Sequence, residues 1–201
     1  MSPVLQKNTN IRKKRVAVLI SGRGSNMLAL AKAAQADDYP AEIALIISNR
    51  PEAAGLEAAR ELGITALAID HKDYPSRESF EGDLNEALND ANIELICCAG
   101  FMRVLTPFFT RLWPNRILNI HPSLLPKYKG LHTHARALES GDKLHGCTVH
   151  YVNEELDGGA IIAQSQINVL GTDTPDSLAK RLIPIEHALY VNALKTVCMI
   201  D

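Results

Sequence analysis

Aromatic side chains are scarce, at 5 % of 201 residues, and neither sign of charge dominates, the formal net charge being −2. A nucleic-acid surface needs a cationic stripe with stacking rings, so neither DNA nor RNA is an expected partner. The one basic cluster, Arg12 to Arg15, runs straight into the apolar VAVLI and reads as a solvated tail. No apolar stretch approaches the ~20 residues of a membrane-crossing helix, and the polar start lacks the apolar centre of a secretion signal. A cytoplasmic protein with no membrane partner is expected. Cysteine is also sparse: Cys97 and Cys98 lie inside the apolar run ELICCAG, and Cys147 and Cys198 have no metal-ligand spacing. All four read as reduced thiols.

Two further absences narrow the nucleotide chemistry. Residues 15–20 form a β-branched and aliphatic run, followed by SGRGSN and an alanine-rich stretch at 27–36, the order strand, glycine loop, helix. The dinucleotide fingerprint would need a third glycine where Met27 stands, and an acidic residue after the second strand where Ser48-Asn49-Arg50 stands. The lysine of an ATP-binding loop is missing too. A phosphate monoester held by backbone amides at the helix start, with Ser25 and Asn26 as caps or donors, fits better than NAD or ATP. A plain tight turn between strand and helix would use the same residues.

Strands are expected at 43–47, 66–69 and 93–99, with helices at 52–62 and 77–89 between them. That alternation predicts an α/β fold with a doubly wound, mostly parallel sheet. Residues 146–152 and 160–169, joined by NEELDGG, read as an antiparallel C-terminal strand pair. The last helix opens at Thr174-Pro175 and points Leu178, Leu182, Ile185 and Leu189 at the core, with a kink or break expected at Pro184.

The densest chemistry lies in RILNIHPSLLPKYKGLHTH, residues 116–134. A short buried strand at 117–120 ends at His121-Pro122, because proline cannot continue a ladder. Asn119 and His121, two apart, point to the same side of that strand with Cα atoms roughly 6–7 Å apart. A carboxamide can donate to an oxygen gaining negative charge, and an imidazole moves protons near neutral pH, a pairing suited to acyl transfer. Read blandly, Asn119 caps a turn and His121 is a satisfied strand-end histidine. Asp157, before two glycines, has turn chemistry as its ordinary role and orienting His121 as its functional one. His132 and His134 lack a spaced third ligand, so no metal is expected.

These motifs carry a resemblance. From Val16 to about Tyr190, through LISGRGSN, CAGFMRVL, ILNIHPSLLPKYKGLHTH, GCTVHYVNEELDGG and IEHALY, the chain resembles the phosphoribosylglycinamide formyltransferase family, folate-dependent transformylases of purine synthesis. The resemblance implies a Rossmann-like formyltransferase domain over 15–201, with a phosphate-binding lobe at 15–114, a catalytic and folate lobe at 115–201, and a flexible tail at 1–14. It implies formyl transfer from 10-formyltetrahydrofolate, as co-substrate, to the amine of glycinamide ribonucleotide, without metal or covalent intermediate, and is compatible with a homodimer. Asn119, His121 and Asp157 match the catalytic trio; Gly24, Ser25 and Asn26 the phosphate loop; Glu186 the ribose contact. Arg77, Met102, Arg103, Val104, Leu105, Asn119, Val152 and Leu156 match the folate site. Ile183-Pro184-Ile185 departs from the family, standing where polar residues are expected.

Related activities fit less well. A transfer-RNA formyltransferase should carry a basic C-terminal domain, a formyl-folate hydrolase a regulatory N-terminal one, and a silent nucleotide-binding module should have lost part of the trio.

Overall fold

The computed structural model describes residues 12–200. Residues 1–11 of the expected tail, and Asp201, lie outside the described residues.

Seven strands form one sheet in the order β3-β2-β1-β4-β5-β6-β7. The first five, β1 (Lys14–Ile20), β2 (Ala41–Ser48), β3 (Thr65–Ala68), β4 (Leu95–Cys98) and β5 (Ile117–His121), pair in parallel. The last two, β6 (Leu144–Tyr151) and β7 (Ile161–Asn168), run antiparallel to their neighbours. This is the doubly wound, mostly parallel α/β sheet with the antiparallel C-terminal pair expected from the sequence. Crossovers α1 (Ser25–Ala34), α2 (Ala54–Glu61) and α3 (Arg77–Asp90) connect the early strands.

The period of two along each strand divides the core between two faces. Val16, Val18 and Ile20 point to the face covered by α1 and by α6 (Pro175–Met199), while Ala17 and Leu19 point to the face covered by α3 and by α4 (Pro107–Leu112). On β5 the same alternation sends Leu118 and Ile120 toward α6, leaving Asn119 and His121 on the side of Ile117. The fully buried Tyr190 ties α6 to the sheet, its hydroxyl lying 3.1 Å from the carbonyls of both Cys98 and Leu118.

Four local expectations are corrected. Strand β1 begins at Lys14, one residue inside the expected tail, because Lys14 N–H donates to the Pro40 carbonyl at 2.9 Å and starts the ladder with β2. Strand β4 is shorter than the apolar run that suggested it. Helix α4 was not foreseen: its six residues are too few for a periodic signal. Helix α6 runs through Pro184 without a break. Pro184 and Lys180, whose carbonyl loses its partner, are both exposed, so water can take that bond while Leu178, Leu182 and Leu189 hold the inner face.

Helix α4 is held from outside. Its N-cap, Thr106, makes no side-chain cap; instead Glu81 of α3, only 2 % exposed, accepts from both the N–H (2.8 Å) and the hydroxyl of Thr106. A carboxyl at a helix start meets an orphan N–H and the positive end of the dipole. Glu81→Ala should therefore destabilise the protein by about 3 kcal/mol, the scale of a charge-assisted bond whose partners stay buried. The check is urea unfolding, where an unchanged midpoint would mean water replaces the carboxyl.

Candidate active site

Three loops meet at the carboxyl ends of the parallel strands. The segment SGRGSN follows β1, the segment Gly100–Thr106 follows β4, and His121 ends β5. The strand order reverses between β1 and β4, the crevice where open α/β sheets bind ligands.

On β5 and its surroundings the candidate trio is brought together. His121, 5 % exposed, has Nδ1 at 3.4 Å from Asp157 Oδ2 and donates from Nε2 to the Tyr128 carbonyl at 2.9 Å. Both ring nitrogens face oxygen acceptors. Asp157 is aimed by the turn that carries it: its φ is +48°, and it also accepts from Gly130 N–H at 2.8 Å. Glycine is required two residues on, since a Cβ at Gly159 would lie 1.8 Å from the Tyr151 carbonyl oxygen.

His150 completes the cluster, and sequence reasoning missed it. Register places it opposite Asn119 across β5 and β6. Its Nδ1 donates to the Tyr151 carbonyl at 2.8 Å, leaving Nε2 to accept from Asn119 Nδ2 at 3.2 Å; the same Nε2 lies 3.7 Å from Asp157 Oδ1. Burial pushes the His150 imidazole below its ordinary range, which suits the neutral acceptor. Asn119 is thereby turned with its amide nitrogen fixed and a second N–H unspent. No spacing rule in the sequence relates residues 119 and 150, because their meeting depends on strand register.

At the glycine loop, Gly24 is the N-cap of α1 with φ +72° and no side-chain cap is made, so neither Ser25 nor Asn26 caps the helix. The amides of the first turn stay available to an anion. Asn26 instead donates from Nδ2 to Glu186 Oε2 at 2.9 Å, and its Oδ1 is buried without a hydrogen-bond partner. Burial raises the Glu186 carboxyl above its ordinary range, with the Asn26 bond opposing that shift. Two acceptors therefore sit side by side near the loop.

Among the candidate folate residues, Met102, Val104 and Leu156 are 61, 53 and 52 % exposed, while Leu105 is buried. Val152 is half-buried, its N–H donating to the Ile117 carbonyl at 2.8 Å. The Arg103 guanidinium lies 5.7 Å from the centre of the Phe80 ring. Arg77 starts α3, exposed and one turn before Glu81.

His132 and His134 do not face one another as ligands would. His132 precedes α5 (Thr133–Glu139) with φ +59°, and His134 Nδ1 lies 3.0 Å from Nε2 of His145 on β6. His145 is held down to about 4, first by burial, then by His134, with His121 acting in the same direction and Asp142 and the Pro122 backbone opposing. An imidazole lowered in the folded state contributes stability that is complete above its unfolded value near 6.5 and is lost as pH falls from there to about 4. Urea midpoints should fall across that window, and His145→Gln should flatten the decline; parallel declines in the two proteins would exclude this pair as the cause.

A doubly wound α/β rim that holds a carboxamide N–H beside a histidine–carboxylate pair suits acyl transfer. Within that class the chain belongs to the formyl transferase family, whose sequence pattern matches residues 14–194. It is 41 % identical over 182 residues to the phosphoribosylglycinamide formyltransferase of Haemophilus influenzae, covering 90 % of this chain and 86 % of that protein. It is 50 % identical over 191 residues to the trifunctional purine biosynthetic protein adenosine-3 of Drosophila melanogaster, covering 94 % of this chain and 14 % of that much longer protein. The crystal structure of phosphoribosylglycinamide formyltransferase from Brucella melitensis superposes with a TM-score of 0.90 at 47 % identity, covering 94 % of this chain and 98 % of that one.

Proposed function

We propose that this protein transfers the formyl group of 10-formyltetrahydrofolate to the amine of 5'-phosphoribosylglycinamide, a step of purine biosynthesis. The observation that carries the reading is the Asn119, His150, Asp157 and His121 cluster at the crevice, on a chain similar along most of its length to enzymes named for that activity.

The acceptor's phosphate meets the amides of Gly24, Ser25 and Asn26, and its ribose hydroxyls donate to the Glu186 carboxyl and the unpartnered Asn26 Oδ1. The folate lies against the apolar lip of Met102, Val104, Leu105, Val152 and Leu156, with Arg77 and Arg103 as its cationic neighbours. Held together, the amine and the formyl carbon react as if within one molecule, which supplies much of the rate.

The amine nitrogen bonds to the formyl carbon, and the carbonyl electron pair moves onto its oxygen. Asn119 donates its second N–H to that oxygen, and His121 exchanges its Nε2–H bond to the Tyr128 carbonyl for one to the reacting groups. The C–N10 bond then breaks. The amine has lost one proton and N10 gains one, with His121 moving the proton and Asp157 holding the imidazolium in place.

Among the described residues no helix is long and apolar enough to cross a membrane. All four cysteines are buried and outside any disulfide, which suits the reducing cytoplasm.

The test is folate release from 10-formyltetrahydrofolate with and without glycinamide ribonucleotide. Release that depends on the ribonucleotide is expected. Release without it would assign a hydrolase, and no release in either case would remove the donor.

A further inference from the structure

Ser21 joins two loops that the function keeps apart. It directly follows β1 and opens the glycine loop, yet its bonds run sideways to the segment after β4. Its N–H donates to the Gly100 carbonyl at 3.1 Å, and its hydroxyl accepts from Met102 N–H at 2.8 Å. The hydroxyl is not free to turn away: it donates its proton to Asn49 Oδ1 at 2.5 Å, so a lone pair is left facing Met102. Asn49, 1 % exposed, follows β2 and is braced in turn, its carbonyl accepting from His71 Nδ1 at 2.9 Å. Ser21 itself is 5 % exposed. These bonds cross the crevice where the strand order reverses.

The segment Gly100–Thr106 thus hangs between two anchors. Glu81 holds the far end through Thr106, and Ser21 holds the near end at Gly100 and Met102. Between the anchors lie the exposed side chains of Met102 and Val104. Gly100, with φ +74°, makes the corner that exposes Met102 N–H to Ser21.

We propose that Ser21 is a positioning residue for the folate donor, although by chain position it belongs to the acceptor's phosphate loop. The proposal rests on the reading that residues 102–105 line the donor site. The hydroxyl sets the Met102 backbone, and through it the apolar lip, while the phosphate amides at Gly24 to Asn26 are fixed independently by α1 and by the Gly55 N–H bond to the Gly22 carbonyl at 3.1 Å. Removing the hydroxyl leaves the cluster on β5 untouched and should weaken donor binding uniformly in ground and transition states.

Steady-state kinetics of the full chain tests this. Ser21→Ala should raise the KM for 10-formyltetrahydrofolate about tenfold, equivalent to about 1.4 kcal/mol, with kcat and the KM for glycinamide ribonucleotide within about twofold of the parent. No rise in the folate KM, or an equal rise in both KM values, would overturn the proposal. Should Ser21→Ala fail to fold, Ser21→Cys keeps the shape with a weak acceptor, and a rise of about threefold or more in the folate KM is expected; no rise overturns the proposal equally. Val104→Ser separates the two layers. If it raises the folate KM and the Ser21 variants do not, the lip is the donor site and Ser21 does not position it; if neither moves, both readings fall.

Discussion

His121→Ala is expected to lower kcat by about a thousandfold, or about 4 kcal/mol of barrier, with both KM values changed by less than about threefold. The size follows from the two tasks that meet on one ring, stabilising the oxyanion and moving the proton from amine to N10. The selectivity follows from how the neighbours are held. Asp157 keeps its bond from Gly130 N–H when the imidazole is removed, so the turn after β6 stays in place. Tyr128 loses only a donor to its carbonyl, and the next residues remain tied down, with Tyr128 Oη and Lys127 Nζ bonded to Asp142 at 2.8 and 3.0 Å. A fall in kcat of less than about tenfold, measured with both substrates saturating, would take proton transfer away from His121.

What could be read from the residues depended on whether the signal was local. Strands β1 and β2 announced themselves because both faces are covered, so Val16 to Ile20 and Leu45 to Ile47 are continuous apolar runs. The pairing of Asn119 and His121 on one face followed from the strand period. The position of Asp157 before two glycines offered it as a partner for His121, and the family resemblance then brought in Glu186 and the folate residues, which spacing alone could not. The rest was hidden for physical reasons. His150 meets Asn119 only through an antiparallel register, Glu81 reaches Thr106 from another helix, and Ser21 bonds across two loops. Each is a side chain of ordinary composition whose partner is distant in the chain. Pro184 misled in the opposite direction: local chemistry argued for a break, and packing on the inner face of α6 overrode it.

Asn119→Ala should lower kcat by about 100- to 1000-fold, the cost of one preorganised donor to a developing oxyanion, about 3–4 kcal/mol. The argument depends on direction as much as on presence. Asn119 spends one N–H on His150 Nε2, and His150 is itself fixed by the Tyr151 carbonyl, so the remaining N–H needs no reorganisation when negative charge appears. The carboxamide does not titrate, so the shape of the pH–rate profile should survive in Asn119→Ala at its reduced height. Asn119→Asp should be at least as damaging as Ala, because it swaps the donor for an acceptor that repels the forming oxyanion and sits near Asp157. Single-turnover rates with both substrates bound decide the matter: an Asn119→Asp rate above that of Asn119→Ala would mean that residue 119 acts by shape and not as a donor.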